Sequence, residues 1–183
     1  MFCGKFAATL ALPLLLCGAV RAAGPRTIAH PFPAPPFSQV MGASGYIFQG
    51  TVTRVQWLKP TNPQDVATVQ ITFRISQGIR GTQTGQMLSI KEWAGAWDSS
   101  NHYRVGQNVV LFLYRPSKLG LTSPVSGPVG EFVVGNDSFI GLSQQQQNSL
   151  SSDPVFGHAF RSKTSLSSRE FTSAIRHLAG VGR

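Results

Sequence analysis

Between residues 91 and 104 the chain gathers side chains that can stack, pair with charge or move a proton: Lys91, Glu92, Trp93, Trp97, Asp98, His102, Tyr103 and Arg104. Indole and phenol faces stack on the rings of sugars or bases, and Lys91 and Arg104 add positive charge beside them. Lys91, Trp93, Trp97, His102, Tyr103 and Arg104 are therefore the candidate ligand-binding residues. Glu92 and Asp98 flank the segment from Trp93 to Trp97, and two carboxyls facing each other across a cleft can cleave a glycosidic bond. The plainer alternative leaves these acids solvated beside a loop and places Trp93 and Trp97 in the core.

Other chemistry finds no support in the sequence. There is no Gly-x-Ser-x-Gly elbow, no His-Glu-x-x-His pair and no phosphate-cradling glycine loop followed by lysine. Asp98 and His102 supply two of the ligands that a zinc site needs, and His30, His158 and His177 are scattered. No catalytic residue, cofactor or metal is expected.

The element that positions the aromatic segment is the stretch Val66–Ile75. Ala67, Val69, Ile71, Phe73 and Ile75 alternate with Thr68, Gln70, Thr72, Arg74 and Ser76, the pattern of a strand with one dry and one wet face. Ahead of it, Tyr46, Phe48 and Val52 share one phase and Val55 and Trp57 the other. The slip near Thr53-Arg54, with Gly50 just before, predicts a long first strand that bends at a bulge. Residues 86–93 form a third strand. Asn108 to Tyr114 is apolar on both faces and should be the most buried strand, and Glu131 to Val134 is a short fifth. Five strands divided by glycine-rich turns predict a five-stranded barrel of the oligonucleotide/oligosaccharide-binding (OB) type over residues 45–134, with a β-sandwich as the alternative.

The flanks differ in composition. Residues 1–22 carry a short positive start and an apolar run from Phe6 to Val20, interrupted by Pro13. They read as a signal peptide cleaved after Val20-Arg21-Ala22, too short to span a membrane. Leu16 before Cys17 disfavours lipidation there. Export removes both cysteines, leaving no disulfide. Of the 16 basic residues that give the chain a formal charge of +9, only Lys5 and Arg21 leave with it. Residues 23–44 are a Pro-rich N-terminal arm, and 135–165 a polar linker or flap. Residues 166–180 carry a C-terminal amphipathic helix, capped by Ser167 or Ser168, with Phe171, Ile175 and Leu178 on one stripe.

Tyr46-Ile47-Phe48-Gln49-Gly50-Thr51-Val52, then Phe73-Arg74-Ile75 leading to Gly78-Ile79-Arg80-Gly81, then Tyr103-Arg104-Val105-Gly106-Gln107 before an apolar strand, resemble the netrin-like module. That module is the OB-type barrel shared with the tissue inhibitors of metalloproteinases, and its bacterial relatives are secreted. Eukaryotic inhibitors of this type chelate a protease zinc through an N-terminal cysteine. No cysteine survives export here, so the resemblance implies the fold without that mechanism.

The expected protein is thus secreted or periplasmic and non-enzymatic. It is a binding module for a protein or an anionic envelope polymer, with no membrane span, and export argues against nucleic acid as the working ligand. The alternative is a protease inhibitor presenting the Pro-rich N-terminus or a loop such as 119–130.

Overall fold

The computed structural model describes residues 33–60, 62, 65–97, 103–160 and 162–180. The expected signal peptide, residues 23–32 of the Pro-rich arm, Asp98 and His102 lie outside the described residues. Among the described residues, seven strands form one antiparallel sheet: β1 (Tyr46–Leu58), β2 (Thr68–Arg80), β3 (Met87–Trp93), β4 (Asn108–Leu113), β5 (Glu131–Val134), β6 (Phe139–Gly141) and β7 (Ser165–Ser167). Their order across the sheet is β3-β2-β1-β4-β5-β6-β7. Four α-helices accompany them in the described residues: α1 (Phe37–Ala43), α2 (Gln144–Ser151), α3 (Gly157–Phe160) and α4 (Ser168–Leu178). The chain is mainly β with a C-terminal helix, as expected.

The five-stranded closed barrel is not what the sheet forms. β6 and β7 extend the sheet beyond β5, and β3 meets the segment ahead of β5 through a single parallel bridge, Lys91 to Leu121. The bend of β1 is where the phase slip placed it. Its register against β2 shifts between Val52 and Arg54 and again between Gln49 and Gly50. A Cβ on Gly50 would lie 2.9 Å from the Arg74 carbonyl, so the close approach needs glycine. The dry face of β2 is also as read: Val69, Ile71, Phe73 and Ile75 are buried, and Arg74 and Ser76 are exposed.

Two hydrophobic cores lie on the two faces of the sheet. Phe48, Val52, the dry face of β2, Ile90, Tyr103 and Val109, Leu111 and Leu113 make one. Among the described residues no α-helix contributes to it, only Ala94 of a 310 turn, so β1–β4 must curl over their own inner face. Val110, Phe112 and Phe132 make the other with α1, α3 and α4, centred on Phe37. The Phe37 ring meets Phe112 and Phe156 edge-on, each with centroids 5.0 Å away. β4 supplies both cores, so every residue from Val109 to Leu113 is buried.

The expected flanking segments therefore carry structure. Phe37, Val40 and Met41 recur at helical spacing, and the end of the Pro-rich arm folds as α1 and plugs the second core. Residues 135–165, expected as a polar linker or flap, hold β6, α2 and α3 and bury Ile140, Leu142, Leu150, Phe156 and Phe160. In α4, Phe171 and Ile175 are buried, whereas Leu178 stays largely exposed. Ser167 occupies the N-cap position without a side-chain capping bond.

Asp153 fastens α1. Its carboxylate is 1% exposed and accepts from the Ser38, Val155 and Phe156 amides at 2.5, 2.8 and 3.1 Å. Burial pushes its pKa up, but these hydrogen bonds, led by Ser38, outweigh it and hold the carboxyl below its usual range. A depressed folded pKa stabilises above the unfolded pKa, and that contribution is lost as pH falls through the folded value. Asp153→Asn should therefore cost about 1–3 kcal/mol at pH 7. In denaturant titrations repeated down the pH scale, the gap to the parent should close on acidification. A constant gap would deny the charge this role.

A second pair of variants tests the first core. Phe73→Ala empties a buried site facing Phe48 and Tyr103 and should cost about 3–5 kcal/mol. Thr72→Ala loses one exposed hydroxyl contact to Ser89 and should stay within about 0.5 kcal/mol. Equal losses in thermal unfolding would overturn the facing of β2.

Candidate functional site

On β3, alternation turns Ile90 and Glu92 inward and leaves Lys91 and Trp93 on the exposed side. A 310 turn over Ala94–Ala96 then reverses the chain and swings Trp97 back over the strand end. The Trp97 indole N–H donates to Glu92 Oε2 at 2.8 Å, which fixes both side chains. Trp97 also meets Trp57 and Tyr103 edge-on, each with centroids 5.8 Å apart. The Trp93 ring folds over Gly95, where a Cβ would fall 2.4 Å from the indole.

The opposite wall comes from the far side of β4. Tyr114 and Arg115 follow that strand, and the loop through Ser117, Leu121 and Thr122 returns toward β3. The Thr122 amide donates to the Lys91 carbonyl at 2.9 Å, and the Thr122 hydroxyl to the Tyr114 carbonyl at 2.7 Å. Glu131 enters at the start of β5. Its backbone is held from behind by Gln146, whose side-chain amide donates to the Glu131 and Pro128 carbonyls at 2.6 and 3.0 Å. Between these walls lies a cleft of about 510 Å³ lined by Glu92, Trp93, Trp97, Tyr103, Tyr114, Arg115 and Glu131, with small polar residues at its mouth. Aromatic walls around a few convergent polar groups are the usual make-up of a small-ligand site.

The polar groups are under electrostatic tension. Glu92 is 7% exposed, and its pKa is pushed from 4.5 to about 7, first by burial and then by the Glu131 carboxylate, against the lowering effect of the Trp97 hydrogen bond. Burial raises Glu131 too. Tyr103, also 7% exposed, is raised well above its ordinary value by burial and by both glutamates. Its hydroxyl acts on both carboxyls, yet its oxygen lies in hydrogen-bond geometry with neither, and Glu92 Oε1 is equally unpartnered. No basic side chain contributes to either glutamate's shift. No group of three or more potential metal ligands occurs among the described residues.

Of the sequence candidates, the fold brings Trp93, Trp97 and Tyr103 together in this cleft. Tyr103 is both core and lining, since its ring packs on Phe73 while its hydroxyl faces the acids. Lys91 lines a neighbouring groove instead, with Trp57, Lys59, Asp65 and Leu121. Arg104 is exposed on the turn before β4, where its amide binds Gln107 Oε1, and it lines neither concavity. His102 lies outside the described residues. Sequence reasoning missed Glu131 and Tyr114 as site residues, which come from a different part of the chain. The expected partner of Glu92 was Asp98, also outside the described residues. The described partner is Glu131.

A carboxyl with a raised folded pKa stabilises fully below its unfolded pKa, and that contribution is lost as pH rises toward the folded value. Glu92→Gln, which keeps the shape and removes the charge, should therefore gain stability over the parent between pH 4 and pH 8. The gain should reach up to about 3 kcal/mol at one pKa unit per 1.4 kcal/mol. Thermal unfolding of both proteins across this range checks it. A pH-independent difference would place Glu92 in an ordinary solvated state.

No helix among the described residues is long and apolar enough to cross a membrane. Compared with known proteins, the chain matches no family model, no curated protein and no solved structure.

Proposed function

We propose that this protein is a secreted, non-enzymatic binding module that takes an extended ligand, a protein segment or an anionic envelope polymer, across the end of β3. The observation that carries this reading is the pairing of two adjoining concavities of about 510 Å³ each, which share Leu121. The first is the aromatic cleft. The second is the groove where Lys59 and Lys91 flank the exposed Trp57 ring, with Asp65 as its one acid. Lysines beside an indole suit a polymer that carries negative charge and rings. The OB-type, netrin-like assignment belongs to the same proposal. It draws support from the bulged 13-residue first strand, which pairs with β2 along its length and with β4 only over Tyr46–Thr51. The Lys91–Leu121 bridge, between the third strand and the segment before the fifth, adds to it.

A second reading, protease inhibition without the cysteine mechanism, is favoured by one observation. Leu119, 78% exposed, stands on a tight turn closed by the Ser117 amide to the Leu121 carbonyl (2.8 Å) and the Leu121 amide to Ser117 Oγ (3.2 Å).

Heparin, a soluble polyanion, separates the two. Its affinity should fall steeply with salt, because each neutralised charge releases counterions. Lys59→Ala and Lys91→Ala should each weaken binding and flatten the salt slope by about one, while Arg104→Ala should change neither. Trp57→Ala should weaken binding by about 1–3 kcal/mol if its ring stacks on the polymer. Absence of heparin binding at low salt would remove the polyanion reading. Protease inhibition abolished by Leu119→Gly would favour the second.

A further inference from the structure

We infer that the aromatic cleft is a receptor for a primary ammonium group, such as the head of a lysine side chain, held on Glu92, Glu131 and Tyr103. The inference rests on the reading of the cleft as the binding site and names what that site selects.

Seven acids serve the whole chain, and two of them meet in this cleft within a strongly basic protein. A buried carboxyl ordinarily finds a cation or a set of hydrogen-bond donors. Asp153 shows this chain doing so with three amide donors. Glu92 does not: the Trp97 indole satisfies Oε2, while Oε1, on a side chain more than nine-tenths buried, has no partner. The Tyr103 oxygen, equally buried, is unpartnered as well. Both line the same space as the Glu131 carboxyl.

Three oxygen acceptors converging on one cavity match the three N–H donors of an ammonium group. A quaternary ammonium has none to give and would leave Glu92 Oε1 unsatisfied. The indole and phenol walls of Trp93, Trp97 and Tyr114 add the cation–π attraction that an ammonium head receives over an aromatic face. They also give the methylene stem of a lysine side chain an apolar wall. Among the described residues, Arg115 is the single cation lining the cleft. It makes no described ion pair with either glutamate and acts on neither pKa, so the acids are left for an incoming charge. Next to the cleft the lysine groove offers the opposite sign, so a ligand with alternating charge can satisfy both.

Butylammonium, with butanol and tetramethylammonium as comparisons, tests the inference on the full chain at pH 8 and low salt. The indole N–H resonance of Trp97 provides the readout at the Glu92 contact. Butylammonium should shift that resonance saturably, and butanol and tetramethylammonium should bind at least tenfold more weakly. Glu92→Gln and Glu131→Gln should each lower butylammonium affinity about tenfold, with Arg104→Ala unchanged. Thermal unfolding of each variant guards against a mere loss of fold. Acidification to pH 5, which protonates Glu92, should release the amine. Butanol binding as tightly as butylammonium, or butylammonium binding indifferent to both Gln substitutions, would overturn the ammonium inference and leave the cleft a binding site. A Trp97 resonance moved by none of the three probes would overturn it along with the cleft itself.

Discussion

One strand carries two cores, and the rest of the molecule follows from that constraint. β4 must bury Val109, Leu111 and Leu113 on one side and Val110 and Phe112 on the other. A sheet strand that is dry on both faces needs a cover on each. The first cover is the curl of β1–β3, which a long bulged strand makes possible. The second is helical and draws on distant pieces, α1 before the sheet, α3 between its last two strands and α4 after it.

The cleft sits where the first cover ends. The curl leaves Glu92 facing inward just as the strand stops, so the apolar interior opens onto a pair of acids rather than closing over a hydrocarbon. The energetic cost of that arrangement is visible in the raised pKa of Glu92 and in two oxygen atoms without donors. Gln146 and Asp153, by contrast, have their polar atoms met by partners. Of the three buried side-chain oxygens without a partner among the described residues, two, on Glu92 and Tyr103, line this one concavity, and the third belongs to Gln49 on β1. Two such atoms in one cleft mark a place where binding can repay what folding left unsettled.

Much of the sheet was legible in the sequence because its signals are local. The alternation of Val69 to Ile75 and the phase slip of β1 each lie within a dozen residues of chain. β6 and β7 offered no comparable signal: each is three residues long with one buried apolar side chain, Ile140 and Leu166. α2 was legible in principle, since Ser143 and Gln146 spell a capping box, and the structure shows both of its bonds. The glutamine run around it reads as low complexity and hid the signal. Likewise the prolines ahead of Phe37 masked a short helix with a clear apolar face. The aromatic half of the cleft was legible because Trp93, Trp97 and Tyr103 are close in sequence. The acid pair was not, because Glu131 reaches Glu92 only after β4 and β5 fold back across the sheet, a register that no local pattern encodes.

The clasp between Ser38 and Asp153 joins residues 115 positions apart, and the same distant ends meet in the rings of Phe37 and Phe171. Such contacts form late, since a long loop must close before they return any stability. The hairpins β1–β2 and β2–β3 are local and can pair without waiting for those closures. The helical half completes only when the last helix arrives to trap the first. A nascent chain therefore holds an exposed Phe37 until α4 has been made, and α4 acts as the latch on α1.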